Sequence, residues 1–140
     1  MRKILCSGMI ALLMFIFFAS LPAYARDTPE QVFEKVSRAL ARKDVDEFIK
    51  HISERARKEI LSYSPQERKE VLELLSYLFP RNIRITRRQI RSNEAILHAE
   101  GIGSCPITSK DLRVTGKIYF LKENNAWKQD REDWSYSSSS

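Results

Sequence analysis

The sequence predicts an α+β domain in which three N-terminal helices pack against a curved antiparallel sheet of about four strands. Three observations lead there. Helix-start signatures recur three times in the first half of the chain. After Pro80 the hydrophobic repeat changes from about 3.6 residues to about 2. No helical pattern separates the successive strand patterns, which excludes alternating βαβ units.

The first helix starts at Thr28-Pro29-Glu30-Gln31, which supplies an N-cap, a proline at the first helical position and a Gln three residues on to close a capping box. Val32, Phe33, Val36, Ala39 and Leu40 then form one apolar stripe, with Glu34, Lys35, Arg38 and Arg42 outside it. Asp44-Val45-Asp46-Glu47 opens a second amphipathic segment through Phe48, Ile49 and Ile52, which either runs on or restarts at Ser53 toward Ile60. Ser64-Pro65-Gln66-Glu67 opens the third helix, carrying Val71, Leu72, Leu74, Leu75 and Leu78 until Pro80 stops it.

Beyond Pro80, Ile83 and Ile85 alternate with arginines. Ala95, Leu97 and Ala99 alternate with Ile96, His98 and Glu100, and Leu112, Val114, Gly116, Ile118 and Phe120 alternate with polar neighbours. The segment from Gly103 to Lys110 reads as the longer connection between strands two and three. Lys122-Glu123-Asn124-Asn125 reads as the turn of a closing hairpin, with Trp127 on the core face.

The residues ahead of this domain read as an address. Arg2 and Lys3 precede an apolar run from Met9 to Phe18, and Ala23-Tyr24-Ala25 offers a peptidase site, so residues 1–25 are expected to be a secretory signal cleaved after Ala25. The apolar run falls short of the roughly 20 residues of a membrane span, so no stable membrane span is expected after cleavage. Cys6 lies before the apolar run, the wrong side for lipid modification, and leaves with the leader. The domain is expected over residues 26–134, followed by a Ser-rich disordered tail over 135–140. A periplasmic or secreted location follows.

Of 140 residues, 43% are hydrophobic and 30% charged, with four Gly and five Pro, which excludes collagen-like and largely disordered classes. Without Arg2 and Lys3, 22 basic residues face 18 acidic ones, a net charge near +4. Nucleic acid is excluded as a partner by that small charge, by the lack of aromatics among the arginines and by export. Cys105 is the sole cysteine after cleavage, so no intramolecular disulfide forms. Burial under Ile102 and Ile107 is the preferred reading of that thiol. Two scattered histidines and one cysteine lack ligand spacing, so no metal and no cofactor is expected.

Two groups of residues carry possible chemistry. His98 and Glu100 share one face of the second strand, where a carboxylate could orient an imidazole for acid–base work, with Tyr119 as a further candidate. The preferred reading puts Ala95, Leu97 and Ala99 on the core face and turns His98 and Glu100 to solvent, so no catalytic residue is assigned. His51, closing the second helix, complements its C-terminal dipole. The arginine-rich first strand offers Arg84, Arg87, Arg88 and Arg91 as ligand- or partner-binding residues. Arg84, Thr86 and Arg88 are expected on one face and Ile83, Ile85 and Arg87 on the other. Guanidinium groups side by side suit carboxylates, phosphates or an acidic partner; an edge strand kept from aggregating by its charge is the competing account.

The segments Ala41-Arg42-Lys43-Asp44-Val45-Asp46-Glu47-Phe48 and Ile118-Tyr119-Phe120-Leu121-Lys122-Glu123-Asn124-Asn125-Ala126-Trp127-Lys128-Gln129-Asp130, in this order of elements, resemble the nuclear transport factor 2-like superfamily, the cystatin-like α+β cone. The likeness is greatest to its small exported bacterial domains of unknown function. The resemblance implies a cone with a pocket between helices and sheet. In that superfamily dehydratases, ketosteroid isomerases and epoxide hydrolases place Asp, Glu, His or Tyr in such a pocket. None of their constellations matches this chain residue by residue. The expectation is therefore an exported, non-enzymatic domain that binds an anionic small molecule or a partner protein in the cell envelope. A small pocket enzyme using His98 and Glu100 on a hydrophobic substrate, or a purely structural homodimer, are the alternatives.

Overall fold

The computed structural model of the chain describes residues 26–105 and 107–137. The expected leader with Cys6, Pro106 and the last three serines lie outside them. The elements run α1 (Pro29–Arg42), α2 (Val45–His51), α3 (Glu54–Leu61), α4 (Pro65–Leu78), β1 (Arg81–Ile90), β2 (Glu94–Ser104), β3 (Asp111–Glu123) and β4 (Ala126–Tyr136). The strands form one antiparallel sheet in the order β1-β2-β3-β4. The α+β class is as the sequence predicts.

Each helix begins on the side chain its sequence offers. Thr28 and Ser64 accept from the backbone of Gln31 and Glu67, and both capping boxes close. Asp44 caps α2 and Ser53 caps α3. The expected second helix is thus two, making four among the described residues. The restart at Ser53 has a tertiary cause. Ile52 forms a parallel bridge to Gln129 of β4 and the Ser53 N–H donates to the Gln129 carbonyl at 2.8 Å, which takes this backbone out of the helical ladder.

The inner sheet face covers α1. Val36, Leu72, Leu97 and Ile118 are completely buried, alongside Val32, Phe33, Leu40, Ala95, Ala99 and Phe120. Alternation along β2 is strict, with Ala95, Leu97 and Ala99 inward. Trp127 sits half-buried against this core, as its place after the turn predicts. Asn124 and Asn125 both take positive φ, 50° and 63°, as a two-residue hairpin turn of the type I′ class requires. Glycine is demanded at 116: a Cβ there would overlap the Trp134 ring. β4 pairs with β3 through Tyr136, two residues into the segment expected to be a tail.

Of three register shifts, one lies between Arg81 and Arg84 at the start of β1, and the other two position the rest. Between Ile85 and Arg87 the pairing of β1 with β2 slips by one, and between Tyr119 and Phe120 the pairing of β3 with β4 does the same, leaving Thr86 and Asp130 as the extra residues. Past each, the residues facing inward change from odd to even positions or the reverse.

Candidate functional site

On β4 the bulge decides which side chains enter the interior. Before it, Trp127 and Gln129 oppose Lys122 and Phe120; after it, Glu132 and Trp134 oppose Ile118 and Gly116. All four therefore share the inner face, although Gln129 and Glu132 are three residues apart. Asp130, the extra residue, turns toward α3. It accepts from the Ser53 hydroxyl at 2.6 Å and from Arg55 at 3.0 Å. Ser53 is fully buried, and its hydroxyl oxygen also caps α3 by accepting from Ala56. The docked Ile52–Ser53 backbone and the bulge thus hold each other.

Gln129, Asp130, Glu132 and Trp134 line a cavity of 420 Å³ between α3, α4 and β4. Leu40, Phe48, Ile52 and Ile60 close its deep side, and Val71, Leu75, Leu78 and Phe79 form the α4 wall. Its rim is apolar and open: Tyr63 is 38% exposed, Leu75 38% and Leu78 49%. Phe79 meets Trp134 edge-on at 6.5 Å, fixing the indole.

The polar groups of the cavity come chiefly from β4. Glu132 is partly buried, and its two carboxyl oxygens accept from Gln129 Nε2 at 2.5 Å and from Trp134 Nε1 at 2.8 Å. Burial pushes this carboxyl above the ordinary glutamate pKa, against those two hydrogen bonds, which favour its ionised form. Gln129 is 6% exposed, and its Oε1 has no hydrogen-bond partner. Asp130 behaves oppositely. Burial alone would raise it, but hydrogen bonds from Ser53 and Arg55 and the charges of Arg55 and Arg131 hold it below the ordinary range.

The residues singled out in the sequence lie elsewhere. His98 and Glu100 do share a face, the outer one, away from the cavity: they pair with Lys117 and Thr115 across β3. Glu100 is engaged by Arg84 at 2.6 Å, and His98 Nε2 lies 3.1 Å from Gln89 Oε1. His98 therefore has no carboxylate orienting it. Partial burial and the positive charges of Arg87 and Lys117 lower its pKa. Tyr119 is also outside, with the Arg131 guanidinium 3.8 Å above its ring. His51 closes α2 and lies 2.8 Å from Glu47, whose carboxyl it holds below the ordinary range together with Lys50.

The arginines of β1 do not form the expected cluster. The bulge at Thr86 leaves Arg84 on the outer face and brings Arg87 there too, opposite His98. Arg88 is turned inward opposite Leu97 and pairs with Glu30 of α1 at 2.8 Å. Arg91 lies past the strand, its N–H on the Glu94 carbonyl. Nor is Cys105 covered as expected: it is half-exposed, and Ile107 is 92% exposed. Hydrogen bonds from Thr108 and the Ile107 backbone lower its thiol pKa. Among the described residues, no group of three or more His, Cys, Asp or Glu is placed to hold a metal ion.

Gln129, Glu132 and Trp134 escape a reading by alternation. One signal pointed to them. Trp127 and Trp134 are an odd number of residues apart, so both can face the core only if the strand bulges between them.

No family model matches the sequence, and no curated protein matches it. The fold has counterparts among solved structures. A SEC-C motif containing protein from Rhodopseudomonas palustris superposes with a TM-score of 0.56 at 12% identity, over 76% of this chain and 77% of that one. A protein assigned as a calcium/calmodulin-dependent protein kinase type II association domain, from Thiobacillus denitrificans, gives 0.56 at 10% identity over 81% and 98%. One assigned as an NTF2-like transpeptidase, from Campylobacter jejuni, gives 0.50 at 12% identity over 75% and 99%. Likeness at such identities speaks to architecture alone. With its helices enclosed by a curved four-stranded antiparallel sheet, this chain has the nuclear transport factor 2-like fold.

Proposed function

We propose that the chain is a binding domain of the cell envelope whose interior cavity takes up a small, largely apolar molecule bearing one neutral hydrogen-bonding group, held at Glu132 and Gln129. The apolar leader from Met9 to Phe18 and the Ala23-Tyr24-Ala25 site support the location. The observation that carries the ligand class is the cavity itself: 420 Å³, walled by aliphatic and aromatic side chains, with its polar groups gathered on one strand. That volume lies within the about 300–1,000 Å³ of small-molecule sites. An anion is disfavoured inside, because three carboxylates, Glu132, Asp130 and Glu59, line the space against one cation, Arg131, which is engaged by Asp133 and the Tyr119 ring. A neutral hydroxyl can donate to the unpartnered Gln129 Oε1 at no such cost.

Binding ranks above catalysis because no histidine, cysteine or serine is among the residues lining the cavity. A second reading rests on one fact: burial raises the Glu132 carboxyl above the ordinary glutamate pKa, the direction that suits a carboxylic acid to proton transfer. Titration with a neutral apolar fluorophore such as N-phenyl-1-naphthylamine tests the first reading. Saturable one-to-one binding, lost when Ala56→Trp fills the cavity in a folded variant, is expected. Native protein that gives no saturable signal, or A56W that binds equally well, would overturn it.

A further inference from the structure

The outer face of the sheet carries a second arrangement, separate from the cavity. Across four strands the register sets Arg87, His98, Lys117 and Asp133 in one row, with Arg84, Glu100, Thr115 and Ser135 in the next. Two of the charges in these rows are already paired: Arg84 holds Glu100 at 2.6 Å, and the Asp133 carboxylate is held by Arg131 at 2.9 Å. Arg87 and Lys117 enter no ion pair among the described residues, and both are exposed. They flank His98 on either side, one inter-strand spacing of about 4.8 Å away in each direction. His98, Thr115, Lys117 and Ser135, together with the arginine-held carboxylates of Glu100 and Asp133, line a shallow depression of 420 Å³ on this face, and Arg87 stands at its edge opposite His98.

From this geometry we propose that Arg87, His98 and Lys117 form a binding site for a phosphate group. The chemistry favours phosphate over a carboxylate. One cation satisfies both oxygens of a carboxylate, whereas the three terminal oxygens of a phosphate ester match three nitrogen donors in a row. The hydroxyls of Thr115 and Ser135 stand beside the row as neutral donors. With Nε2 given to Gln89, protonation at Nδ1 makes the imidazole the central donor. The surroundings of that ring are mixed: Arg87 and Gln89 from β1, Glu100 on its own strand, Lys117 and Tyr119 from β3, with Arg84, Arg131 and Asp133 beyond. The nearest carboxylates are occupied by arginines, and partial burial, followed by the charges of Arg87 and Lys117, lowers the His98 pKa. An arriving phosphate opposes that field and raises the His98 pKa, so its binding is linked to proton uptake at His98.

Titration of the protein with inorganic phosphate, following the imidazole proton resonances of His98 and His51, tests the site. A saturable shift confined to His98, a higher His98 pKa with phosphate present, and a loss of about tenfold or more in affinity for Arg87→Gln with Lys117→Gln are expected, because each removed charge-assisted hydrogen bond is worth about that factor or more. Neither residue holds an ion pair, so the variant keeps its fold; E132Q, altered only in the cavity, titrates like the native chain. Equal movement of both histidines, or a double variant that binds phosphate as well as native, would overturn the proposal. Co-sedimentation with phosphatidic acid vesicles, whose headgroup is a phosphate monoester with three terminal oxygens, separates the sources. Capture that depends on Arg87 and Lys117 assigns a lipid headgroup, and a phosphate response without capture assigns a soluble phosphate ester. Capture without any His98 response to phosphate refutes the site.

Discussion

Gln129 and Glu132 are three residues apart on one strand yet meet on the same face, the amide nitrogen donating to the carboxyl oxygen at 2.5 Å. Their meeting depends on the extra residue between them, Asp130, which is itself held by Ser53 from 77 positions earlier. The chemistry of the cavity therefore rests on a contact between the α2–α3 break and the last strand.

Glu132 makes stability depend on pH in a definite direction. Its folded-state pKa is raised by burial, so the stability it contributes is complete below the ordinary glutamate range and is lost as pH rises through the raised value. Glu132→Gln should abolish that loss. Denaturant unfolding of both proteins across pH should show a gap in favour of the variant that widens with rising pH. A constant gap would mean that the carboxyl is not perturbed.

Asp130 works with the opposite sign. Its depressed pKa contributes stability that is present above the ordinary aspartate range and lost as pH falls through the folded value. Ser53→Ala removes both the helix cap and the buried hydrogen bond to Asp130, and should cost about 1–3 kcal/mol. The measure is urea unfolding near neutral pH, where a change under a few tenths of a kcal/mol would refute the coupling.

Gly116 allows the indole of Trp134 to lie against the sheet. Gly116→Ala places a methyl against that ring, and overpacking of this kind costs about 1–3 kcal/mol. Because Trp134 also lines the cavity, the variant should alter its fluorescence and weaken uptake of the apolar probe together. Unchanged thermal stability would show that the strand relaxes freely.

The ion pair between Arg88 and Glu30 ties β1 to α1 at the surface. Arg88→Ala should cost only about 0.2–1 kcal/mol, since both partners remain partly in water. It should also leave phosphate binding intact, because Arg88 faces inward while Arg87 faces out. A phosphate defect in R88A would contradict the register of β1.

Much of this architecture was written in the chain. Thr28, Asp44, Ser53 and Ser64 each start a helix because a short polar side chain can satisfy the free N–H groups of a first turn, a local interaction legible in a few residues. Pro80 ends the helical half because it has no N–H to give, and alternation from Ala95 onward separates the two faces of β2. The tertiary structure alone decided where the strands bulge. Alternation assumes an unbroken two-residue repeat, whereas the slips at Thr86 and Asp130 are set by pairing with neighbours far along the chain. One extra residue turned Arg88 inward and Arg87 outward, and another brought Glu132 beside Gln129 in the interior. Face assignment is a sum over every preceding residue of the strand, so a single inserted position reverses all that follow it.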